Sequence, residues 1–201
     1  MAVCEPGSSG AAGPRLTVVS GPSGVGKSSV VAEVLRCWPQ LFLSVSVTTR
    51  APRSGERPGE HYHYVDRVTF AHMIERGEFL EYAEYAGNFY GTPAAPVRQA
   101  LAAGRSALLE LELQGARQIR AAMPEALLVM LVPPSWEVLD GRLSERGTED
   151  AVARARRLQV GREELNAAGE FDATVVNDDV QRAAAELIAL MRHPSTSGEH
   201  E

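Results

Sequence analysis

The sequence predicts an α/β fold in which helices flank a parallel sheet and a smaller mixed lobe is inserted into the chain. Segments with strand and helix patterns alternate in residues 15–43 and again in residues 93–192. Some strand segments are apolar throughout, as at 126–132, which is typical of parallel strands covered on both faces. Between these parts, residues 44–92 hold short aromatic-rich strands and one small helix, which indicates a mixed inserted lobe.

Each element of the alternating parts follows from its residue pattern. Residues 15–20 are apolar and β-branched, which favours a strand, and residues 29–36 have helical spacing. The alternation resumes after Pro93, and Gly104 ends the next helix. The helices predicted from there on are 94–103, 114–122, 136–145, 151–168 and 180–191, and the strands are 107–113, 126–132 and 173–176.

The elements of the predicted lobe are shorter. Residues 43–48 alternate between apolar and polar side chains, as a half-exposed strand does, and a basic, turn-rich loop follows at 49–59. The remaining lobe segments are strands at 61–65, 79–85 and 88–91, and a helix at 69–76.

Length, composition and charge indicate one compact domain without a membrane or nucleic-acid partner. The chain has 201 residues, 44% of them hydrophobic, and no run approaches the roughly 18 apolar residues of a membrane span. A net charge of −6 argues against general nucleic-acid binding. We expect disordered ends at 1–14 and 193–201, a folded domain at 15–192, and a cytoplasmic protein whose oligomeric state stays open.

One motif points to a nucleoside triphosphate. Gly21-Pro-Ser-Gly-Val-Gly-Lys27-Ser28 matches G-x-x-x-x-G-K-S and lies between a predicted strand and a predicted helix, as a P-loop requires. Its glycines let successive backbone N–H groups face an anion, and Lys27, the only lysine in the chain, can follow a phosphate. We therefore expect a P-loop NTPase-type core, with Ser28 as a Mg²⁺ ligand. The predicted triphosphate-binding residues are Gly21, Pro22, Ser23, Gly24, Val25, Gly26, Lys27, Ser28 and Ser29.

Further blocks of residues occur in a fixed order between residues 16 and 191. They are Ser44-Val-Ser-Val-Thr-Thr-Arg50-Ala-Pro-Arg53, Gly55-Glu56, Tyr62, Glu81, Gly87-Asn-Phe-Tyr90-Gly-Thr92, Arg146-Gly-Thr-Glu149 and Val176-Asn-Asp-Asp179. In this order and spacing the blocks resemble those of bacterial guanylate kinases. The resemblance implies the reaction ATP + GMP = ADP + GDP with Mg²⁺, in purine nucleotide metabolism and GMP recycling. It also implies a core at 15–43 and 93–192, a GMP-binding lobe at about 44–92 and a helical lid at about 142–168.

The basic loop contains candidates for phosphate binding. Arg50 and Arg53 stand three positions apart around a proline, so two guanidinium groups could grip one phosphate. An arginine pair by itself fits a solvated basic loop at least as well. The resemblance implies that Arg50 and Arg53, together with Tyr62 and Tyr90, hold the phosphate of GMP.

The resemblance also implies residues that recognise the base. Glu81 would accept hydrogen bonds from guanine N1–H and the exocyclic amine, while Ser46 and Thr92 would donate to the base. The alternating pattern around Glu81 alone would equally suit a solvent-facing strand. A buried carboxylate that the wrong base leaves unpaired costs roughly 1–3 kcal/mol, so such a site would reject AMP.

Two further carboxylates follow a predicted strand. Because alternate residues of a strand share one face, a strand at 107–113 would direct Glu110 and Glu112 together toward GMP. Family members usually carry aspartate at position 112, so the longer glutamate departs from the pattern.

The last candidates are arginines of the lid and residues near the adenine. By resemblance, Arg142, Arg146 and Arg157 close over the triphosphate and, with Lys27 and Arg50, form the catalytic set. Asn177 and Asp178 follow the last strand at its carboxyl end, where α/β sheets bind ligands, and would complete the ATP site.

The residues leave two alternative functions open. One is a P-loop kinase that acts on another small phosphorylated substrate, which would not need the set of Glu81, Ser46 and Thr92. The other is a non-catalytic guanylate-kinase-like module that binds proteins, against which the intact P-loop argues.

Overall fold

A computed structural model describes residues 13–85, 87–144 and 151–192, without the side chains of residues 144 and 151–157. In chain order these residues form β1 (Leu16–Ser20), α1 (Lys27–Cys37), β2 (Phe42–Leu43), β3 (Val47–Thr48), β4 (His63–Tyr64), α2 (Arg67–Glu75), β5 (Phe79–Tyr85), β6 (Asn88–Pro93), α3 (Ala94–Ala102), β7 (Ala107–Glu110), α4 (Leu113–Ala122), β8 (Leu127–Val132), α5 (Trp136–Ser144), α6 (Ala151–Asn166), β9 (Ala173–Val176) and α7 (Val180–Arg192). A 3₁₀ turn, Ala167–Glu170, follows α6.

The larger sheet is parallel and has the strand order β2-β7-β1-β8-β9. Successive residues of β1 point to opposite faces, so Val18 and Val19 enter two different apolar clusters. The cluster around Val19 is closed by α1 and α7, and the cluster around Val18 is closed by α3 and α4. The predicted α/β fold, with helices on both faces of a parallel sheet, is confirmed.

The smaller sheet is mixed and has the order β4-β3-β6-β5. β3 and β4 are parallel, whereas β6 is antiparallel to both β3 and β5. Helix α2 packs on it through the fully buried Phe70, which stacks against Phe79 and Phe89. The predicted bounds of β5 are those of the structure.

The single strand predicted at 43–48 is wrong, because the chain changes sheets within it. The Ser44 N–H donates to Leu108 O in the larger sheet, whereas Ser46 O accepts from the His63 N–H in the smaller one. β2 and β3 are therefore separate two-residue strands in different sheets. A local alternation of side chains cannot distinguish one long strand from two short ones.

A second prediction is wrong at the end of β7, which stops at Glu110 rather than at residue 113. Glu112 has extended backbone angles and is the N-cap residue of α4. The early turn lets α4 pack against the sheet through Ala116 and Ile119, which are fully buried.

Some predictions concern residues outside the described ranges. They are the N-terminal extension up to residue 12, the loop at 146–149 and the tail at 193–201. Among the residues that are described, no helix combines the length and apolar character needed to span a bilayer.

Candidate active site

The P-loop joins β1 to α1, as the motif predicts. Gly26 is the N-cap residue of α1 and has a positive φ of 96°, which residues other than glycine rarely adopt. A Cβ atom at this position would also lie 2.5 Å from Nδ2 of Asn177. Glycine at residue 26 thus permits both the turn of the backbone and the close approach of a supporting side chain.

Two side chains, one after the last strand of the sheet and one on α5, hold the P-loop backbone. Asn177, only 2% exposed, donates from Nδ2 to Val25 O at 2.7 Å. Arg142 of α5 donates to the same carbonyl at 3.2 Å and to Asn177 O at 3.1 Å. These contacts bring two of the predicted site residues to the loop, where they support its shape.

Of the other residues predicted around the lid and adenine, only the side chain of Asp178 is described. Asp178 forms an ion pair with Arg182 on α7. Arg146 lies outside the described residues, and the side chain of Arg157 is among those not described.

Lys27 lies between the loop and the two carboxylates at and after the end of β7. Its Nζ donates to Gly21 O at 2.5 Å and is 3.6 Å from Oε1 of Glu112. Ser28 donates from its hydroxyl to Oε1 of Glu110 at 2.8 Å. Burial raises the pKa of Glu110, and the Ser28 hydrogen bond and the Lys27 charge oppose that shift. Both predicted carboxylates therefore face the P-loop, although only Glu110 belongs to a strand.

Glu164 on α6 is a site residue that the sequence analysis missed. It is 5% exposed, its carboxyl group interacts electrostatically with the Glu112 carboxyl group, and its Oε2 atom is buried without a hydrogen-bond partner. Burial first, and then the neighbouring carboxyl group of Glu112, raise the pKa of Glu164, whereas the Lys27 charge opposes the shift. The helix pattern at 151–168 contains no local signal for this contact, which depends on how α6 meets the P-loop.

The basic loop is organised by Glu56. This residue is in the Gly55-Glu56 block of the sequence, for which no function was predicted. Arg50 donates to its two carboxylate oxygens at 3.0 and 2.8 Å, and Tyr64 donates its hydroxyl at 2.8 Å. The Arg53 N–H also donates to Glu56, at 2.8 Å. These donors, Arg50 first, lower the pKa of Glu56 to about 2. The guanidinium of Arg50 is thereby fixed, while the Arg53 side chain stays exposed.

The two predicted tyrosines lie together beside Arg50. The rings of Tyr62 and Tyr90 meet edge to face at 5.9 Å, and the Arg50 guanidinium lies 5.3 Å from the centre of the Tyr62 ring. Burial raises the pKa of Tyr62, and the negative charge of Glu110 adds to the shift. The aromatic cluster of the smaller sheet is therefore within range of electrostatic interaction with the carboxylate that faces the P-loop.

Glu81 on β5 is buried, with 5% exposure, rather than solvent-facing. Thr92 on the paired strand β6 donates its hydroxyl to Oε1 of Glu81 at 2.6 Å. Burial raises the pKa of Glu81, and this hydrogen bond opposes the shift. Ser46 is half-buried at the start of the same sheet. A carboxylate that is so little exposed to solvent is suited to bind a ligand that supplies hydrogen-bond donors.

Taken together, the described residues form two neighbouring clusters. One is a glycine-rich loop at a helix N-terminus with a lysine, which is suited to a polyphosphate. The other contains arginines, tyrosines and a buried glutamate, which are suited to a phosphate monoester attached to a polar ring.

Comparison with known proteins agrees with this arrangement. The guanylate kinase family model matches residues 13–194. Guanylate kinase from Thermobifida fusca is 56% identical over 182 residues, covering 90% of this chain and 93% of the relative. Guanylate kinase from Frankia casuarinae is 56% identical over 176 residues, covering 88% and 96% of the two chains. The crystal structure of guanylate kinase from Anaplasma phagocytophilum superposes with a TM-score of 0.74 at 31% identity, covering 90% of this chain and 86% of that one.

Proposed function

This chain belongs to the guanylate kinase family and catalyses phosphoryl transfer from ATP to GMP, and we propose how its residues divide that work. The P-loop side holds the donor, and the smaller sheet holds the acceptor. The two alternatives left open by the sequence, another P-loop kinase and a protein-binding module, are not retained. We further propose a role in purine nucleotide metabolism and GMP recycling in the cytoplasm, where both nucleotides occur.

On the donor side, the loop 21–29 would wrap the β- and γ-phosphates of ATP. The Lys27 ammonium group now donates a hydrogen bond to Gly21 O in the same loop, and it would donate to a phosphate oxygen when ATP binds. Asn177 and Arg142 would stabilise the loop conformation, since both donate hydrogen bonds to Val25 O. Asp178, together with Arg146 and Arg157, would approach the nucleotide from the adenine side and the lid.

The residues next to the P-loop fit Mg²⁺. The Ser28 hydroxyl and the Glu110 carboxylate offer two oxygen atoms, and Mg²⁺ prefers oxygen ligands and takes most of them from phosphates and water. Ser28 would hold the ion, which neutralises phosphate charge when bound.

On the acceptor side, Arg50, Arg53, Tyr62 and Tyr90 would hold the phosphate of GMP. Arg50 is oriented by Glu56, so its fork needs little reordering when the phosphate arrives. Glu110 interacts electrostatically with Tyr62 and contacts Ser28, so the acceptor phosphate would lie next to the donor site.

Phosphoryl transfer requires mainly alignment of the two nucleotides and compensation of charge. The phosphate-binding arginines and tyrosines would aim an oxygen of GMP at the γ-phosphate, while Lys27, Arg142 and the lid arginines would stabilise the charge that spreads over the moving group. Closure of the smaller sheet and the lid over the substrates would exclude water and suppress ATP hydrolysis.

The observation that supports guanine recognition is the buried carboxylate of Glu81. Thr92 occupies one of its oxygens, and a base with an N1–H and an exocyclic amine would supply the donors that burial removes. Ser46 would donate to the base, and Thr92 would do so only by turning the hydroxyl proton that it now gives to Glu81. Adenine offers no matching pair of donors, so AMP would leave the carboxylate unpaired.

The test is Glu81→Gln, with Glu84→Gln as its control on the exposed part of the same strand. The amide turns a donor toward the donors of guanine, so we expect a loss of about 2–4 kcal/mol in transition-state binding, or about 30- to 1000-fold in kcat/KM for GMP. The KM for ATP should change little. Equal GMP efficiency in Glu81→Gln and Glu84→Gln would rule out the guanine role.

A further inference from the structure

Helix α4 belongs to the larger domain core, yet it contacts the strand that carries Glu81. We propose that α4 sets the position of the Glu81 carboxylate, with Gly115 and Gln118 as positioning residues for base selection. This inference rests on the proposed guanine role of Glu81.

The absence of a side chain at residue 115 makes room for Glu81. A Cβ atom at Gly115 would lie 2.8 Å from Oε2 of Glu81, closer than nonbonded atoms tolerate, and 3.3 Å from its Cδ, which is a tight contact. The carboxylate has no easy way to retreat, because its other oxygen is held by Thr92 at 2.6 Å. The Glu81 carboxylate is thus confined between the Thr92 hydroxyl on one side and the backbone of α4 at Gly115 on the other.

Gln118 holds the neighbouring backbone at a fixed distance from the same helix. Its Nε2 donates to Tyr82 O at 2.8 Å, and its Oε1 accepts from the Tyr82 N–H at 3.2 Å. One amide therefore satisfies both backbone polar groups of Tyr82, the residue that follows Glu81. Gly115 and Gln118 are three positions apart on the helix and so lie on the same face.

The adjoining buried side of α4 is fixed to the core. Ala116 and Ile119 are fully buried in the apolar cluster under the parallel sheet, and the N-cap residue, Glu112, is 3.6 Å from Lys27. Because the helix is held by the core, the position of Glu81 relative to the P-loop is set by α4 as well as by its own sheet. The residue that recognises the base and the P-loop that holds the phosphates are therefore both positioned against the same helix.

The test compares Gly115→Ala with Gly141→Ala, a helical glycine of α5 whose Cβ would meet nothing within 4 Å. On helix propensity alone each substitution should raise the melting temperature by about 2–4 °C. We expect Gly141→Ala to show this gain with unchanged kinetics. Gly115→Ala should lower kcat/KM for GMP at least about tenfold while the KM for ATP stays within about twofold of wild type.

The ratio of kcat/KM for GMP to that for inosine monophosphate reports on Glu81 itself. Inosine monophosphate keeps the N1–H and lacks the exocyclic amine, so a displaced carboxylate loses its preference between the two. We expect Gly115→Ala to lower this ratio toward the value in Glu81→Gln. Gln118→Met, at a half-buried position, should lower it in the same direction by a smaller factor.

The outcomes separate this inference from the proposed function. If Glu81→Gln leaves the ratio unchanged, the guanine role and this inference both fall. If Glu81→Gln lowers it and both α4 variants leave it at the wild-type value, only this inference is overturned. A loss of GMP use in the α4 variants with an unchanged ratio would also overturn it, because that pattern indicates general damage.

Discussion

Oε1 of Glu112 lies 3.6 Å from Nζ of Lys27, although Glu112 precedes α4 and Lys27 begins α1. The chain runs alongside β1 for one residue beyond β7, since the Leu111 N–H donates to Val19 O, and then turns into the helix. This turn directs Glu112 to the P-loop without strand alternation. The Lys27 side chain is 10% exposed, whereas that of Glu112 is 58% exposed and so has room to adjust.

Glu112→Asp tests whether the site has adapted to the longer side chain. Aspartate is one C–C bond shorter, so the ion pair with Lys27 would lengthen or take in a water molecule. We expect GMP turnover that is equal to wild type or lower, measured by ADP release, and unchanged turnover in the exposed control Glu186→Asp. A several-fold gain would mean that the glutamate impairs the acceptor site, and would reopen the question of the preferred substrate.

Lys27→Met tests the donor site. Loss of the ammonium that sits on the P-loop should lower kcat by about 10²–10³-fold or more, the usual effect of removing one group that stabilises transition-state charge. Because Lys27 is the only lysine, amine-directed labelling of a side chain reports on this site alone. ATP with Mg²⁺ should protect residue 27, as followed by peptide mass spectrometry. Wild-type turnover in the variant would contradict the assignment of the P-loop.

Arg50→Lys and Arg53→Lys form a matched pair in the basic loop. Both keep the charge and lose the bidentate fork, so each should raise the KM for GMP and slow transfer with the KM for ATP nearly unchanged. Only Arg50→Lys should also lower the melting temperature, because only Arg50 has its guanidinium on Glu56. If both variants changed only the melting temperature and left the KM for GMP and the rate of transfer unchanged, neither arginine would bind the phosphate of GMP.

Glu164→Gln tests the buried carboxyl group of Glu164 through the pH dependence of stability. A raised pKa in the folded state contributes stability that is complete below the unfolded value of 4.5 and is lost as pH rises through the folded pKa. The amide cannot ionise, so relative to wild type the variant should become more stable between pH 5 and 8.5, with a slope that approaches about 1.4 kcal/mol per pH unit. Urea unfolding at several pH values measures this difference. The exposed neighbour Glu163→Gln should show no such trend, and a flat difference for Glu164→Gln would contradict the raised pKa.

Local features were predictable from the sequence. The P-loop is contiguous, and its glycines, lysine and serine act through their own backbone and neighbours, so eight consecutive residues were enough to predict it. The bounds of β5 and β9 were also predicted as observed, because each is a short run with the composition of a strand. The roles of Asn177, Asp178 and the lid arginines in binding ATP stay predictions.

Contacts between distant parts of the chain were decided only by the tertiary structure. The switch of sheets at 44–46 depends on Leu108 and His63, which supply hydrogen bonds from two different sheets. The burial of Glu164 depends on the packing of α6 against the P-loop, and the confinement of Glu81 depends on a glycine 34 positions later. A sequence pattern records which side chains are near in the chain, whereas these positions follow from which surfaces meet once the sheet and its helices have packed.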